Sequence, residues 1–286
     1  MIDNPIEGAG PLVVIVGNCQ AESLRIMMGT SDVRTVRVPA VHELVASDLT
    51  PLGQLLALAD VFISQPVQDD YHGLPIGTSQ MRALLRPTAA VALVPVIRFA
   101  GLYPTQVIVR PPSAPSLEPP VVPYHDLATL AEAAGAPVPR VTPPAVRAIA
   151  ALSLAELERR EQRHDAVAIS DMFISPDFSA MRTINHPGNT VFAELARRVR
   201  ERVGLPAHSY DPGRPILANI HAPREQAVID AFALSDQPTT TWRVDGHEVD
   251  TSAVQDAHRT WYRRHPEVVA AGVARHADAL RILQAG

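Results

Sequence analysis

The chain has 286 residues, 47% apolar and 19% charged, with a net charge of −5, which provides core material for one large or two small domains and no overall basic field for nucleic acid. A single cysteine excludes an internal disulfide and a cysteine-rich zinc site. No apolar run approaches the ~18 residues of a membrane helix, and the acidic opening MIDNPIEGAG lacks the positive region of a signal peptide, so a cytoplasmic protein is expected.

Leu12–Val16 is a short, fully apolar and mostly β-branched run, broken by Gly17-Asn18 before apolar residues recur at helical spacing (Ala21, Leu24, Met27, Met28). This predicts a strand, a tight turn and a helix. The turn delivers Cys19 to the helix start, where unpaired N–H groups and the positive dipole end favour a thiolate. A lone cysteine also reads as a small buried apolar residue. A second strand is expected at Thr35–Val38, a helix over Val41–Ala59, a third strand at Val61–Ile63, then the polar loop Ser64–Gly73. A helix over Thr78–Leu85, a fourth strand over Ala90–Val94 and an extended Gln106–Val109 follow. Alternation of this kind implies βαβ units in a mostly parallel sheet with helices on both faces. Ligands bind such sheets beyond the carboxyl ends of the strands, where Cys19, Gln65 and Asp69 all fall.

Residues 110–144 are dense in proline and surround Tyr124-His125-Asp126 and a short helix over Leu127–Ala134, reading as a loop-rich insertion: a lid, a binding loop or a plain linker. From Ala145 the pattern is helical. It ends in the charged stretch Glu156–Asp165, taken as a solvated face, and a further strand is expected at Ala166–Ile169. In Asn185-His186-Pro187-Gly188-Asn189, proline rules out a continuous helix through the histidine and Asn189 can cap the next helix. His186, one of eleven histidines, is a candidate general base or a plain capping residue. The arginines of the following helix (Arg197, Arg198, Arg200, Arg202) read as a solvated face, and three helices (224–234, 251–264, 267–284) fill the remainder, with Trp242, Trp261 and Tyr262 as packing. The expected organisation is an α/β catalytic domain over 1–206 and a helical region over 207–286.

A strand-turn nucleophile, a polar side chain ending the third strand and a late His-Pro resemble the layout of SGNH-type esterases. Cys19 stands where that family has serine and Thr183 where it has aspartate, so a Cys–His pair is implied and the orienting acid stays open between Asp171 and Asp126. More of the chain resembles the WcbI-type polysaccharide biosynthesis family, through GNCQAESL at 17–24, QPVQDDYHGLPIGT at 65–78, IRFAGLYPTQ at 97–106, YHD at 124–126 and NHPGN at 185–189. Gly101-Leu102-Tyr103-Pro104 lacks a histidine that the family carries in that segment.

That resemblance implies a coenzyme A-dependent O-acetyltransferase acting on polysaccharide sugars, with a small thioester and a sugar acceptor as its partners. Transfer of acetyl from acetyl-coenzyme A to a hydroxyl needs a base and oxyanion donors. His186 is the expected base; backbone N–H groups from Asn18 to Gln20 and the Gln65 amide are the expected donors, each worth about 2.7 to 4 kcal/mol. Cys19 either takes the acetyl group or shapes the site. Gly17, Gln20, Asp69, Tyr71, Tyr124 and Asp126 are expected around the substrate, and Arg25, Arg98 and Arg110 at the coenzyme phosphates. No metal is expected, since no HExxH or paired-histidine spacing occurs. An SGNH-type esterase or thioesterase and a non-catalytic coenzyme A-binding module are the other readings.

Overall fold

The structure is a computed structural model that describes residues 10–111, 114 and 116–285. The opening nine residues, on which most of the signal-peptide reading rests, and three positions of the proline-rich stretch lie outside the described residues. In chain order, β1 (Leu12–Val16), α1 (Cys19–Met28), β2 (Arg34–Val36), α2 (Leu49–Leu58), β3 (Val61–Ser64), α3 (Thr78–Arg82) and β4 (Ala90–Leu93) come first. They are followed by β5 (Gln106–Val107), β6 (His125–Asp126), α4 (Leu127–Ala133), α5 (Pro143–His164), β7 (Met181–Thr183), β8 (His186–Pro187) and α6 (Asn189–Arg202). Last come β9 (Ile220–His221), α7 (Gln226–Phe232), β10 (Thr241–Val244), β11 (His247–Asp250), α8 (Thr251–Tyr262), α9 (Pro266–Arg275) and α10 (Ala277–Ala285). The fold class is mixed α/β with a parallel sheet and a C-terminal helical portion.

The chain gathers into two compact units that interleave along the sequence. The first takes the chain up to Ile97 with Glu156–Met172 and Pro187–Leu217. Its sheet has the order β2-β1-β3-β4, all parallel. The step from β1 to β2 and the steps β2 to β3 and β3 to β4 run in opposite directions across the sheet. Right-handed crossovers therefore place α1 on one face and α2 and α3 on the other. Alternation along β1 and β3 sends Leu12, Val14, Val16 and Phe62 into a core with Leu52, Leu55 and Leu56 of α2 and Met81 of α3. β1 is buried along its whole length, as a central parallel strand must be. The order reverses between β1 and β3, which opens a crevice at their carboxyl ends.

Several expected elements are shorter or absent here. Val41 and Leu44 belong to the core from an irregular segment, with the Val41 N–H on the Gly17 carbonyl (2.9 Å). Asp48 accepts from the Val45 N–H (3.1 Å), so the helix starts only after that turn. The segment Ala166–Ile169 is no strand: Val167 makes one bond to Leu93 at the end of β4, and one bond does not make a ladder. The charged stretch is not all solvated, because Glu161 is buried and accepts from the N–H groups of Ile169 (2.8 Å) and Ser170 (3.0 Å). Arg200 is likewise no surface residue: it is fully buried and donates to the carbonyls of Pro206 (2.6 Å) and Met28 (3.3 Å), to Thr30 (3.1 Å) and to Asp32. Asn189 opens α6 without capping it; its side chain binds residues 214 and 216, and Gly188 is the cap.

The second unit takes Arg98–Ala155, Phe173–His186 and the chain from Ala218 on. Here Val107 and Val109 pack with α4, the start of α5, α8, α9 and α10 in one apolar cluster. The C-terminal region is not all helical, since β11, β10 and β9 form an antiparallel sheet. Asp245 and Gly246, both at positive φ, close its hairpin, the two-residue turn that suits the twist of the strands.

Candidate functional site

In the first unit, Cys19 opens α1 directly beyond β1, and Asn18 is the cap, its side chain accepting from the Gln20 N–H at 2.9 Å. Gln65, at the end of β3, holds this turn from beside it. Its Oε1 accepts from the Asn18 N–H (2.8 Å), and its Nε2 donates to Gln20 Oε1 (3.0 Å) and to the Pro95 carbonyl (3.4 Å). Gln20 in turn grips Ile97 twice, donating to its carbonyl (2.7 Å) and accepting from its N–H (3.0 Å). A side chain at residue 17 would put its Cβ 2.5 Å from Gln65 Oε1, so glycine there is dictated by close approach.

This network corrects two expectations. Both amide hydrogens of Gln65 are spent, so Gln65 positions the turn and offers no oxyanion donor. The N–H groups of Asn18 and Gln20 are engaged as well, and the Cys19 N–H is directed at its own thiol. The thiol also differs from the expectation: burial pushes its pKa up, with the Glu43 carboxylate adding to this, and the N–H groups of Cys19 and Gln20 oppose it without prevailing. Cys19 therefore rests as a thiol at neutral pH. Asp69 is exposed and accepts from Ser79 at the start of α3, and Tyr71 packs in part on the core beside His72 (ring centroids 4.2 Å). Arg25 is engaged with Glu22 (2.7 Å, both oxygens) and Thr35 (3.0 Å), so it is not a free phosphate ligand.

The second unit holds His186. The imidazole is 8% exposed, and burial with the charges of Arg182 and His221 lowers its pKa to about 4, the Ile220 backbone acting weakly the other way. It is neutral at physiological pH. Its Nε2 lies 3.3 Å from the Tyr124 hydroxyl, which also donates to Asn185 Oδ1 (2.8 Å) and accepts from Thr183 (2.9 Å). Tyr124 is buried with its ring stacked on Trp242 (5.9 Å), and its hydroxyl ties the histidine loop together. Asp126 caps α4 through the Thr129 N–H (2.8 Å), and Asp171 is exposed and paired with Arg198 (2.6 Å). Neither carboxylate is a hydrogen-bond partner of His186, whose partner is the phenol. Tyr103 ties its hydroxyl to the Met181 carbonyl (2.8 Å), and burial raises its pKa. Among the described residues no group of three His, Cys, Asp or Glu side chains is gathered as a metal site.

Residues 12–208 match the family described as polysaccharide biosynthesis enzyme WcbI. The chain belongs to this family. A solved structure of WcbI, a novel polysaccharide biosynthesis enzyme, aligns with TM-score 0.79 at 18% identity, covering 96% of this chain and 99% of its own. That structure is described as the native protein without a disulfide bond between coenzyme A and one of its cysteines. At this identity the likeness shows the fold. No curated protein matches the chain.

Within the WcbI family frame, the expected residues divide between the units: Gly17, Asn18, Cys19, Gln20, Arg25, Gln65, Asp69 and Tyr71 in the first, and Arg98, Arg110, Tyr124, Asp126 and His186 in the second. Arg182 and His221, whose charges act on His186, were not expected, whereas Trp242, expected as packing, stacks on Tyr124. The Asp-Gly pair of the β10–β11 hairpin was a usable signal for Trp242; Arg182 and His221 carry none, because nothing in a short buried strand marks which side chain faces which neighbour. Among the described residues, no helix is long and apolar enough to cross a membrane.

Proposed function

We propose that this polysaccharide biosynthesis enzyme is a coenzyme A-dependent O-acyltransferase, in practice an O-acetyltransferase, with a sugar hydroxyl as acceptor. One observation carries the reading: the lone thiol stands at the first position of α1, at the crevice where the order of a parallel sheet reverses. The mention of coenzyme A and a cysteine in the description of the solved WcbI structure supports the choice of thioester.

In the reaction the acceptor oxygen bonds to the acetyl carbon and the carbon–sulfur bond breaks. The acceptor's proton passes to a base, and coenzyme A leaves as its thiol once protonated. His186 is the base proposed on its chemistry: a neutral imidazole needs no prior deprotonation. The Cys19 N–H is the proposed oxyanion donor. If the acetyl group first transfers to Cys19, its thiol must lose a proton before it attacks, because burial keeps it protonated. Isothermal titration with coenzyme A and acetyl-coenzyme A, followed by mass spectrometry, tests the reading. Binding together with a gain of one acetyl group that Cys19→Ala abolishes fits transfer through the thiol. Binding and turnover without an adduct fits direct attack. Absence of binding by either ligand overturns the proposal.

A further inference from the structure

The second unit carries a crowd of cations unrelated to His186. Val109 and α9 share one apolar cluster, and Gly272 of α9 packs so closely that a Cβ there would lie 3.2 Å from Val109. This brings Arg110, next to Val109, alongside Arg275 and His276 at the end of α9. His276 contacts the Ile108 backbone on the same line. Arg98 belongs to the same group. Burial first, then the charges of Arg275 and Arg110, hold its pKa below the ordinary value, although its side chain keeps access to solvent.

The compensation is thin. Arg110 pairs with Glu118, whereas Arg98 and Arg275 have no acidic partner among the described residues. Two imidazoles complete the surroundings. His125 is 1% exposed, binds Tyr262 through Nδ1 (2.7 Å) and has no partner at Nε2; burial, His258, Arg110 and His276 lower its pKa to about 3. His276 Nε2 is also unpartnered, and burial keeps it neutral. Structural arginines are normally drawn to carboxylates, and like charges held together raise the energy of the fold until an anion joins them. The end of α9 accounts for one cation, because the helix dipole welcomes it. It does not account for three.

We propose that Arg98, Arg110 and Arg275, with His276, form a binding site for a ligand carrying two or more phosphoryl charges. Guanidinium forks match phosphate oxygens, and the neutral imidazoles add hydrogen bonds without adding repulsion. The site deepens the coenzyme A reading in one respect only: the coenzyme carries a diphosphate and a ribose phosphate. A diphosphate-linked sugar offers the same chemistry, and the experiment separates the two.

Inorganic pyrophosphate and adenosine 3′,5′-bisphosphate are titrated by calorimetry into the full-length protein, Arg98→Gln/Arg275→Gln and, as a control, Arg159→Gln on exposed α5. We expect both probes to bind wild type and the control alike, and the double variant to bind at least tenfold more weakly. Tighter binding of the adenosine compound assigns the site to the coenzyme; tighter or equal binding of pyrophosphate assigns it to a diphosphate-linked sugar. The unliganded double variant should melt no lower than wild type, since repulsion is removed. A lower melting temperature, unchanged binding in the double variant, or no binding of either probe to wild type overturns the site. If coenzyme A binds the double variant undiminished while pyrophosphate binding is lost, the site is not the coenzyme's and the acyltransferase reading stands. If coenzyme A binds no form of the protein while the variant loses pyrophosphate, the phosphate site stands and the acyltransferase reading falls.

Discussion

The Cys19 turn and the His186 loop are built by opposite means. Around Cys19 the work is done by backbone and by two glutamine amides, Gln20 and Gln65, that satisfy each other and the ends of neighbouring segments. Around His186 it is done by packed side chains, the Tyr124 hydroxyl at the ring edge and the Arg182 charge nearby, with Nδ1 left without a hydrogen bond. The first arrangement fixes where a main-chain N–H points. The second fixes the charge state of an imidazole. Position and protonation are separate requirements of the acyl transfer proposed above, and the two regions differ in which of them their surroundings fix.

If that division is right, the two regions must fail differently. His186→Ala should lower initial rates of acetyl transfer by roughly 10²- to 10⁴-fold while leaving the calorimetric affinity for coenzyme A within about threefold. A parallel loss of affinity would break the comparison. Acid should attack the His186 side first. Burial holds His186 and His125 at about 4 and about 3 in the fold, against about 6.5 for a free imidazole, so the unfolded chain takes up protons before the folded one as pH falls. Stability is therefore fully present above pH 6.5 and is lost progressively from there toward the folded values. For His186 this amounts to about 3 kcal/mol, at ~1.4 kcal/mol per tenfold change in proton affinity. Urea midpoints measured at pH 7, 5.5 and 4.5 should fall in that order, and His186→Gln should flatten the fall; a midpoint that rises toward pH 5 contradicts this. The acid limb of the rate should likewise appear near pH 4, where the base gains its proton.

Within the first unit, Arg200→Met should cost about 2–4 kcal/mol by stranding the buried Met28 and Pro206 carbonyls, read as a lower urea midpoint at neutral pH. Gln65→Ala is the milder test, at about 1–3 kcal/mol for the unpaired Asn18 N–H and Gln20 side chain. Its sharper sign is coenzyme A affinity falling more than stability does. Equal rates and affinities in wild type and Gln65→Ala would remove the amide network from the site altogether.

How much of this was legible in the chain follows from the same contrast. The GNCQ turn lies directly between a β-branched run and a helical one, and local pattern found it. Gln65 could be marked because it ends a strand, but its role could not. That an amide is spent on Asn18, Gln20 and Pro95 depends on sheet order, and strand order is not a local property. Asp126 looked like a site acid and is a helix cap, since a short carboxylate before Leu127 and three residues ahead of Thr129 serves either purpose. Thr183, standing where an esterase would have its aspartate, is buried and donates to Tyr124, a partner 59 residues away. The arginines of α6 illustrate the limit best: four basic residues in six positions read as solvated, yet Arg200 points inward because the end of α1 offers it the Met28 carbonyl and the segment after α6 the Pro206 carbonyl.

That inward arginine has a mechanical meaning. It grips the Met28 carbonyl, at the opposite end of α1 from the thiol, and a ten-residue helix is ~15 Å long. Over such an arm a tilt of about 4° swings the far tip by ~1 Å, a displacement that can cost a reaction on the order of a hundredfold. α1 is thus held at both ends, by the glutamine pair at the Cys19 turn and by Arg200 at the Met28 carbonyl, and a residue at the end opposite the thiol shares in setting where the thiol stands.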